Sequence, residues 1–305
     1  MIIGIDHGFG MIKTRSVSFR AGVDIMDRPP AIPTPDCIEW NGSYCTLSGA
    51  RNVLLKDKTG SDEYFIQTLF AIAKELRSRG DYRTELPVTI AAGLPIGDFQ
   101  RQRDAFDKYL RRPDSDYTFT LGNDNFKIHV EDIHLFPQGY AAVVQQLAHL
   151  RSEPVVHIID IGSWTMDTLT LHGGSPDLSS IDSHEVGVIA CLNYVAKAIK
   201  EETGRSYTNE QVEAVLWCNN VTIEDEIKEL MRDYCRRWCE MVVRRIVENG
   251  FEISTAVTRF VGGGSYLIKN FYRDAHRDEM RDVEFTEDIC ANAVGYELLA
   301  SGGVG

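Results

Sequence analysis

The sequence has little of what several common kinds of protein are built from. Its 32 Lys and Arg face 45 Asp and Glu, a formal charge of −13, so the concentrated basic surface that displaces counterions from nucleic acid is missing. The opening MIIGIDHGFG has neither a basic leader nor an apolar run of signal or membrane-span length. Seven cysteines, an odd number scattered through 305 residues, do not make a disulfide framework. The expectation is a cytoplasmic protein with reduced thiols, no membrane partner and no strong direct nucleic-acid binding.

Familiar chemical motifs are also absent. No GxxxxGK[ST] run supports a P-loop, and Gly8-Phe9-Gly10 is only a fragment of GxGxxG. Cys235 and Cys239 are four residues apart but lack two further ligands, so they read as core thiols rather than a zinc site. His129 and His134 do not form HExxH, and Trp164 after Gly162-Ser163 breaks GxSxG.

What is present is a folded composition, 43% hydrophobic and 25% charged, over a length that suits about two domains. Ile2, Ile3 and Ile5 make a β-prone run that stops at Asp6, Gly8 and Gly10 and resumes at Met11, Ile12 and Lys13. Val155, Val156, Ile158 and Ile159 repeat the pattern, stopping at Asp160 and Gly162 and resuming at Met166. Two hairpins with a carboxylate at the turn, one per domain length, suggest internal duplication. The expected domains are 1–150, with a small lobe near 26–80 that contains the Pro-rich PPAIPTP; 151–290, with a helical lobe near 188–248; and 291–305, a helix returning to the first.

Helices are expected over 63–79, 99–110, 139–150 and 186–202, and after Thr222, which stands three places before Asp225 as a capping box requires. Strands are expected at 86–91, on both sides of Gly122-Asn123-Asp124, at 133–136 and at 256–261, the last running into Gly262-Gly263-Gly264. Repeated strands followed by helices indicate a layered α/β protein.

If the two acidic turns face one cleft, Asp6 and Asp160 converge on a hydrated divalent cation while glycine backbones donate N–H groups to phosphate oxygens. Each Asp could instead simply cap its own turn. Lys13 could neutralise phosphate or be solvated, and the glycine triplet could approach a ribose or be a flexible loop.

Together, Asp6-His7-Gly8-Phe9-Gly10-Met11-Ile12-Lys13, Asp160-Ile161-Gly162-Ser163, Gly262-Gly263-Gly264-Ser265 and Asn292-Ala293-Val294-Gly295-Tyr296 resemble the actin, Hsp70 and sugar-kinase superfamily, and within it the plasmid-segregation proteins of the ParM/StbA type. The resemblance implies duplicated, ribonuclease H-like domains with mixed sheets and a nucleotide cleft between them. It implies ATP or GTP with Mg²⁺ as cofactors, Asp6 and Asp160 as metal ligands through water, and Gly8, Phe9, Gly10 and Lys13 on the first phosphate turn. Gly162, Ser163 and Trp164 would form the second turn, with Trp164 directed away from it. Gly262, Gly263, Gly264 and Ser265 would lie against adenosine, with Glu229 and Arg232 on a helix lining that pocket. Phe136-Pro137-Gln138-Gly139 matches the segment that positions the attacking water, which gives this role to Gln138; many ParM-like proteins carry Glu there. His7 reads as a polar occupant of the turn rather than a phosphate contact. The implied activity is a nucleotide hydrolase that self-associates into filaments and engages a DNA-bound adaptor. The alternatives are a small-molecule phosphotransferase of the same superfamily and a noncatalytic scaffold.

Overall fold

The computed structural model describes residues 1–48, 58–83, 85–113, 115–217, 221–280 and 282–303. Two units emerge, Met1–Gln145 with Asp288–Gly305, and Gln146–Glu287. The part of the expected small lobe at 49–57, and Cys218, lie outside the described residues.

The first unit begins with the expected hairpin, β1 (Ile2–His7) and β2 (Met11–Lys13), followed by β3 (Ser18–Arg20), β4 (Val23–Met26), β5 (Cys37–Trp40) and β6 (Ser43–Leu47). After α1 (Glu63–Ser78) come β7 (Glu85–Leu94), α2 (Phe99–Arg111), β8 (Asp116–Leu121) and β9 (Asp124–Pro137). All nine strands join one mixed sheet, ordered β3-β2-β1-β7-β9-β8-β5-β6-β4. The described residues of the expected small lobe that follow the Pro-rich stretch supply β5 and β6 to that sheet. Two expected strands, on either side of residue 131, are one continuous β9, because the register slips by a residue between Val88 and Thr89 and lets β9 run on alongside β7.

Where the chain passes from the first unit to the second, the expected apolar helix over 139–150 is not continuous. Gly139 has φ +74, and the chain forms a 3₁₀ turn at Ala141–Gln146 before one turn of α3 (Leu147–Leu150). The adjacent β-branched Val143 and Val144 fit an α-helix less well than their hydrophobicity suggests. The second hairpin follows as β10 (Val156–Ile161) and β11 (Met166–His172), then β12 (Ser175–His184), α4 (Val188–Thr203), α5 (Asn209–Trp217), α6 (Asp225–Glu248), β13 (Val257–Val261), α7 (Ser265–Phe271) and β14 (Val283–Phe285). Glu224, not Thr222, occupies the N-cap of α6, and no side chain caps it; Asp225 and Glu226 supply the favourable charge in its first turn instead. Cys191 on α4 and Cys235 and Cys239 on α6 are fully buried where these helices meet, with Cys191 Sγ 3.9 Å from Cys235 Sγ.

The five strands of this unit are ordered β12-β11-β10-β13-β14. The same sequence of pairings, two antiparallel and then two parallel, runs through β3-β2-β1-β7-β9 in the first unit. The duplication read from the two hairpins therefore extends to the topology.

The chain then returns to the first unit as α8 (Ala291–Ala300), which lies on β1, β7 and β9. Successive strand residues face opposite sides. Ile3 and Ile5 enter the core shared with α1 and α2, whereas Gly4 faces α8, where a Cβ would stand 2.0 Å from the Ala293 carbonyl oxygen. Gly93 likewise leaves room for Tyr296, whose hydroxyl would lie 1.9 Å from an added Cβ.

Candidate functional site

The first unit gathers three of the expected residues. Asp6 and Lys13 are directly opposed across the β1–β2 ladder, so their side chains share one face, and Lys13 Nζ is 3.1 Å from Asp6 Oδ2. Gln138, just past the end of β9, donates its Nε2 to the other carboxylate oxygen, Oδ1, at 2.9 Å. An ionised carboxylate only accepts, so the amide nitrogen must be the end turned toward Asp6 and Oε1 the end presented as an acceptor. Gln138 is anchored further by its own N–H on the Leu94 carbonyl at 2.9 Å, and the next amide, Gly139, donates to Asn292 Oδ1 at 3.0 Å. Gly8 must be glycine, because a Cβ there would meet the Met11 carbonyl oxygen at 2.6 Å.

His7 points into the core instead of occupying an open turn position. It is fully buried, with Phe106 edge-on at 5.4 Å and its Nε2 2.8 Å from Thr68 Oγ1. The Thr68 hydroxyl already donates to the Tyr64 carbonyl at 2.8 Å, so the imidazole is the donor to it. Burial first, then the Lys58 charge, pulls the His7 pKa down to about 3, and the ring is neutral.

Behind Lys13, Thr14 Oγ1 donates to Glu75 Oε2 at 2.6 Å and the Ser16 amide donates to the same oxygen at 3.1 Å. Burial alone would raise the Glu75 pKa, but hydrogen bonds from Thr14 and Arg79 outweigh it and hold the carboxyl below its ordinary value. Arg79 also pairs with Glu297 of α8, which accepts from the Gly4 amide at 3.0 Å. Glu75 and Glu297 are invisible in sequence as members of this site, since each sits in a helix with no motif around it.

The second unit builds a related but differently charged turn. Asp160 and Asp167 hold the directly opposed register positions that Asp6 and Lys13 hold in the first hairpin. Thr165 Oγ1 donates to Asp167 Oδ2 at 3.0 Å, and the Gly162 amide closes the turn on the Thr165 carbonyl at 2.8 Å. Asp167 went unread in sequence, although its separation from Asp160 equals that of Lys13 from Asp6 and was the available signal.

The glycine triplet is part of this turn's support. Gly262 has φ +79, and a Cβ on it would lie 2.2 Å from Asp160 Oδ1; one on Gly264 would lie 2.3 Å from Ile161 Cγ2. Gly263 has open space around it, Ser265 is buried at the start of α7, and Tyr266 stacks on Trp217 at 5.3 Å. Ser163 and Trp164 are half-buried, and their carbonyls accept the amides of Ile189 at 2.9 Å and Gly187 at 2.8 Å as α4 begins. Glu229 and Arg232, one turn apart on α6, pair with each other.

Two opposed carboxylates are hard oxygen donors that suit a magnesium ion retaining most of its water. Among the described residues no group of three or more His, Cys, Asp or Glu could hold a metal ion, so an all-protein cage is not present there. A cation bound mainly by phosphate and water, with one or two carboxylates, fits this donor set.

Comparison with known proteins agrees with the fold. Residues 42–140 match the family model described as actin like proteins N terminal domain, and residues 158–274 match archaeal actin homologue MreB-like, C-terminal. A ParM filament structure from Clostridium botulinum aligns with TM-score 0.75 and 19% identity, covering 99% of each chain. The archaeal actin homolog Ta0583, in complex with ADP, aligns with TM-score 0.74 and 19% identity, again covering 99% of each chain. Bacillus thuringiensis ParM with AMPPNP gives TM-score 0.65 and 16% identity, covering 98% of this chain and 97% of that one. No curated protein sequence matches. The duplicated sheets, the two partial matches to actin-like family models and the structural likenesses give this chain the two-domain actin-like fold seen in ParM and the archaeal actin homologue.

Proposed function

We propose that the chain binds ATP with Mg²⁺, hydrolyses its γ-phosphoryl bond and self-assembles in a nucleotide-dependent way. The observation that carries this reading is the Asp6 carboxylate, held on one oxygen by Lys13 at 3.1 Å and on the other by Gln138 at 2.9 Å. That arrangement supports roles for Lys13 as a phosphate cation, Asp6 as a metal-binding carboxylate and Gln138 as a water-orienting amide at one glycine turn. Lys13 and the amides of the first turn bind phosphate oxygens, and Gln138 Oε1 accepts a hydrogen bond from the attacking water and orients it. An amide is a poor base, so Gln138 acts by position and not by removing the proton. Asp160 and Asp167 hold water of the hydrated cation, which when bound offsets phosphate charge. In the first unit Asp6 would hold such water, and in the second Gly262, Gly263, Gly264 and Ser265, with the helix bearing Glu229 and Arg232, would take the nucleoside.

The preference for ATP over GTP is supported by the adenine nucleotides named in two similar structures, and assembly by the filament form of another. A role in plasmid segregation through a DNA-bound adaptor, in the cytoplasm, is the finer proposal. It agrees with a net charge of −13, which leaves DNA contact to a basic partner. Among the described residues no helix is long and apolar enough to cross a membrane.

The test is titration of a fluorescent ATP analogue with and without Mg²⁺, alongside phosphate release and sedimentation. Asp6→Ala and Asp160→Ala are each expected to weaken Mg²⁺-nucleotide binding at least about tenfold. Unchanged affinity in both would overturn the reading. Turnover stimulated by a small acceptor, without pelleting, would favour a phosphotransferase, and binding without turnover a scaffold.

A further inference from the structure

The two hairpins hold their turns by different means. In the second, the carbonyl of Ile161, which leads into Gly162, accepts the backbone amide of Gly264 at 2.8 Å. Its counterpart by register is His7, which leads into Gly8. There the parallel neighbour β7 runs into Leu94-Pro95 instead of a glycine triplet, and the His7 carbonyl accepts from Lys58 Nζ at 2.7 Å. Lys58 reaches this oxygen from across the faces of Tyr64 and Phe106, its ammonium 5.6 Å and 5.8 Å from the two ring centroids.

We infer that Lys58 is a positioning residue for the first phosphate turn, standing where the second turn uses a backbone amide. The inference rests on the reading of that turn as a phosphate site. A trans peptide is planar, with its C=O and N–H pointing oppositely, so a donor fixed on the His7 oxygen fixes the direction of the Gly8 N–H. Glycine at position 8 leaves that peptide free to rotate, which makes an outside anchor effective. A charged donor on the carbonyl also polarises the peptide and strengthens the hydrogen bond its N–H can give to an anion. The His7 ring, tied to Thr68, anchors the other side of the same residue. Burial lowers the Lys58 pKa to about 8 while Asp6 and then Asp98 pull it upward, and the ammonium form prevails at neutral pH.

The test compares wild type, Lys58→Met and Lys58→Arg by titration with Mg²⁺-AMPPNP and with adenosine, and by the Gly8 amide resonance in ¹⁵N-labelled, ligand-free protein. Lys58→Met is expected to weaken AMPPNP about tenfold, the scale of one charge-assisted hydrogen bond, with adenosine affinity unchanged. It should also shift the Gly8 resonance, and Lys58→Arg should restore at least half of both effects on a logarithmic scale. Equal loss for adenosine and AMPPNP would mean general damage to the fold and would overturn the inference, as would an unmoved Gly8 resonance or unaltered AMPPNP affinity. Absence of AMPPNP binding by the wild type would overturn the phosphate reading itself, and the Lys58 role with it.

Discussion

The two hairpins share a backbone and differ in charge. Asp6 faces a lysine and Asp160 faces another aspartate at the same register position. The first turn thus carries its own counterion, 3.1 Å away. The second opposes two carboxylates, which favour a cation from outside. One duplicated element thus presents two charge environments, an aspartate–lysine pair and an aspartate pair, on the same strand geometry.

The strongest way to break this contrast is Lys13→Asp, which copies the second hairpin's charge pattern into the first. Nucleotide affinity by fluorescence titration is expected to fall more than about a hundredfold, because a favourable contact becomes a repulsive one. Next in size, Gln138→Ala should cut single-turnover phosphate release about a hundredfold while leaving AMPPNP affinity within about threefold, since it removes orientation and not charge. Asp167→Asn tests the second hairpin more gently: the Mg²⁺ concentration for half-maximal nucleotide binding should rise about tenfold, with Mg²⁺-free binding unaffected or improved.

A stability difference sharpens the comparison further. Gly262→Ala forces a side chain into a left-handed backbone position and onto Asp160, and should lower unfolding stability by about 2 kcal/mol in denaturant titration. The smallest effect is the pH response of the first turn. The folded His7 pKa near 3 lies below its unfolded value of 6.5, so its contribution is complete above pH 6.5 and is lost as pH falls from there toward 3. Thermal midpoints should therefore decline from pH 6.5 to 5, with a slope of at most about 1.4 kcal/mol per unit from this group. His7→Gln should flatten that decline, since a glutamine cannot take up the proton.

Much of this architecture was legible because its signals are local. An apolar β-prone run stopped by Asp and Gly marks each hairpin, and Gly204 and Gly250, at φ +72 and +87, stand where the expected helices end. Gln138 was reachable only through resemblance, since a glutamine after proline has no chemical signature of its own. Asp167 was within reach by spacing, but a second acid seven residues on looks like any exposed strand residue until its register is known. Lys58, Glu75 and Glu297 were out of reach, because each acquires its role from a partner 51, 61 or 293 positions away along the chain. The 3₁₀ turn at Ala141–Gln146 was missed for a different reason: its apolar content is that of a helix, and only Gly139 and the valine pair speak against one.

The tie between α8 and the first strand also bears on biosynthesis. Gly4 donates to Glu297, and β1 cannot complete its packing until residues near the end of the chain have left the ribosome. The contiguous stretch Gln146–Glu287 has no such wait and can fold during translation. The nascent chain should therefore mature from the middle outward, with the packing of β1 against α8 formed last.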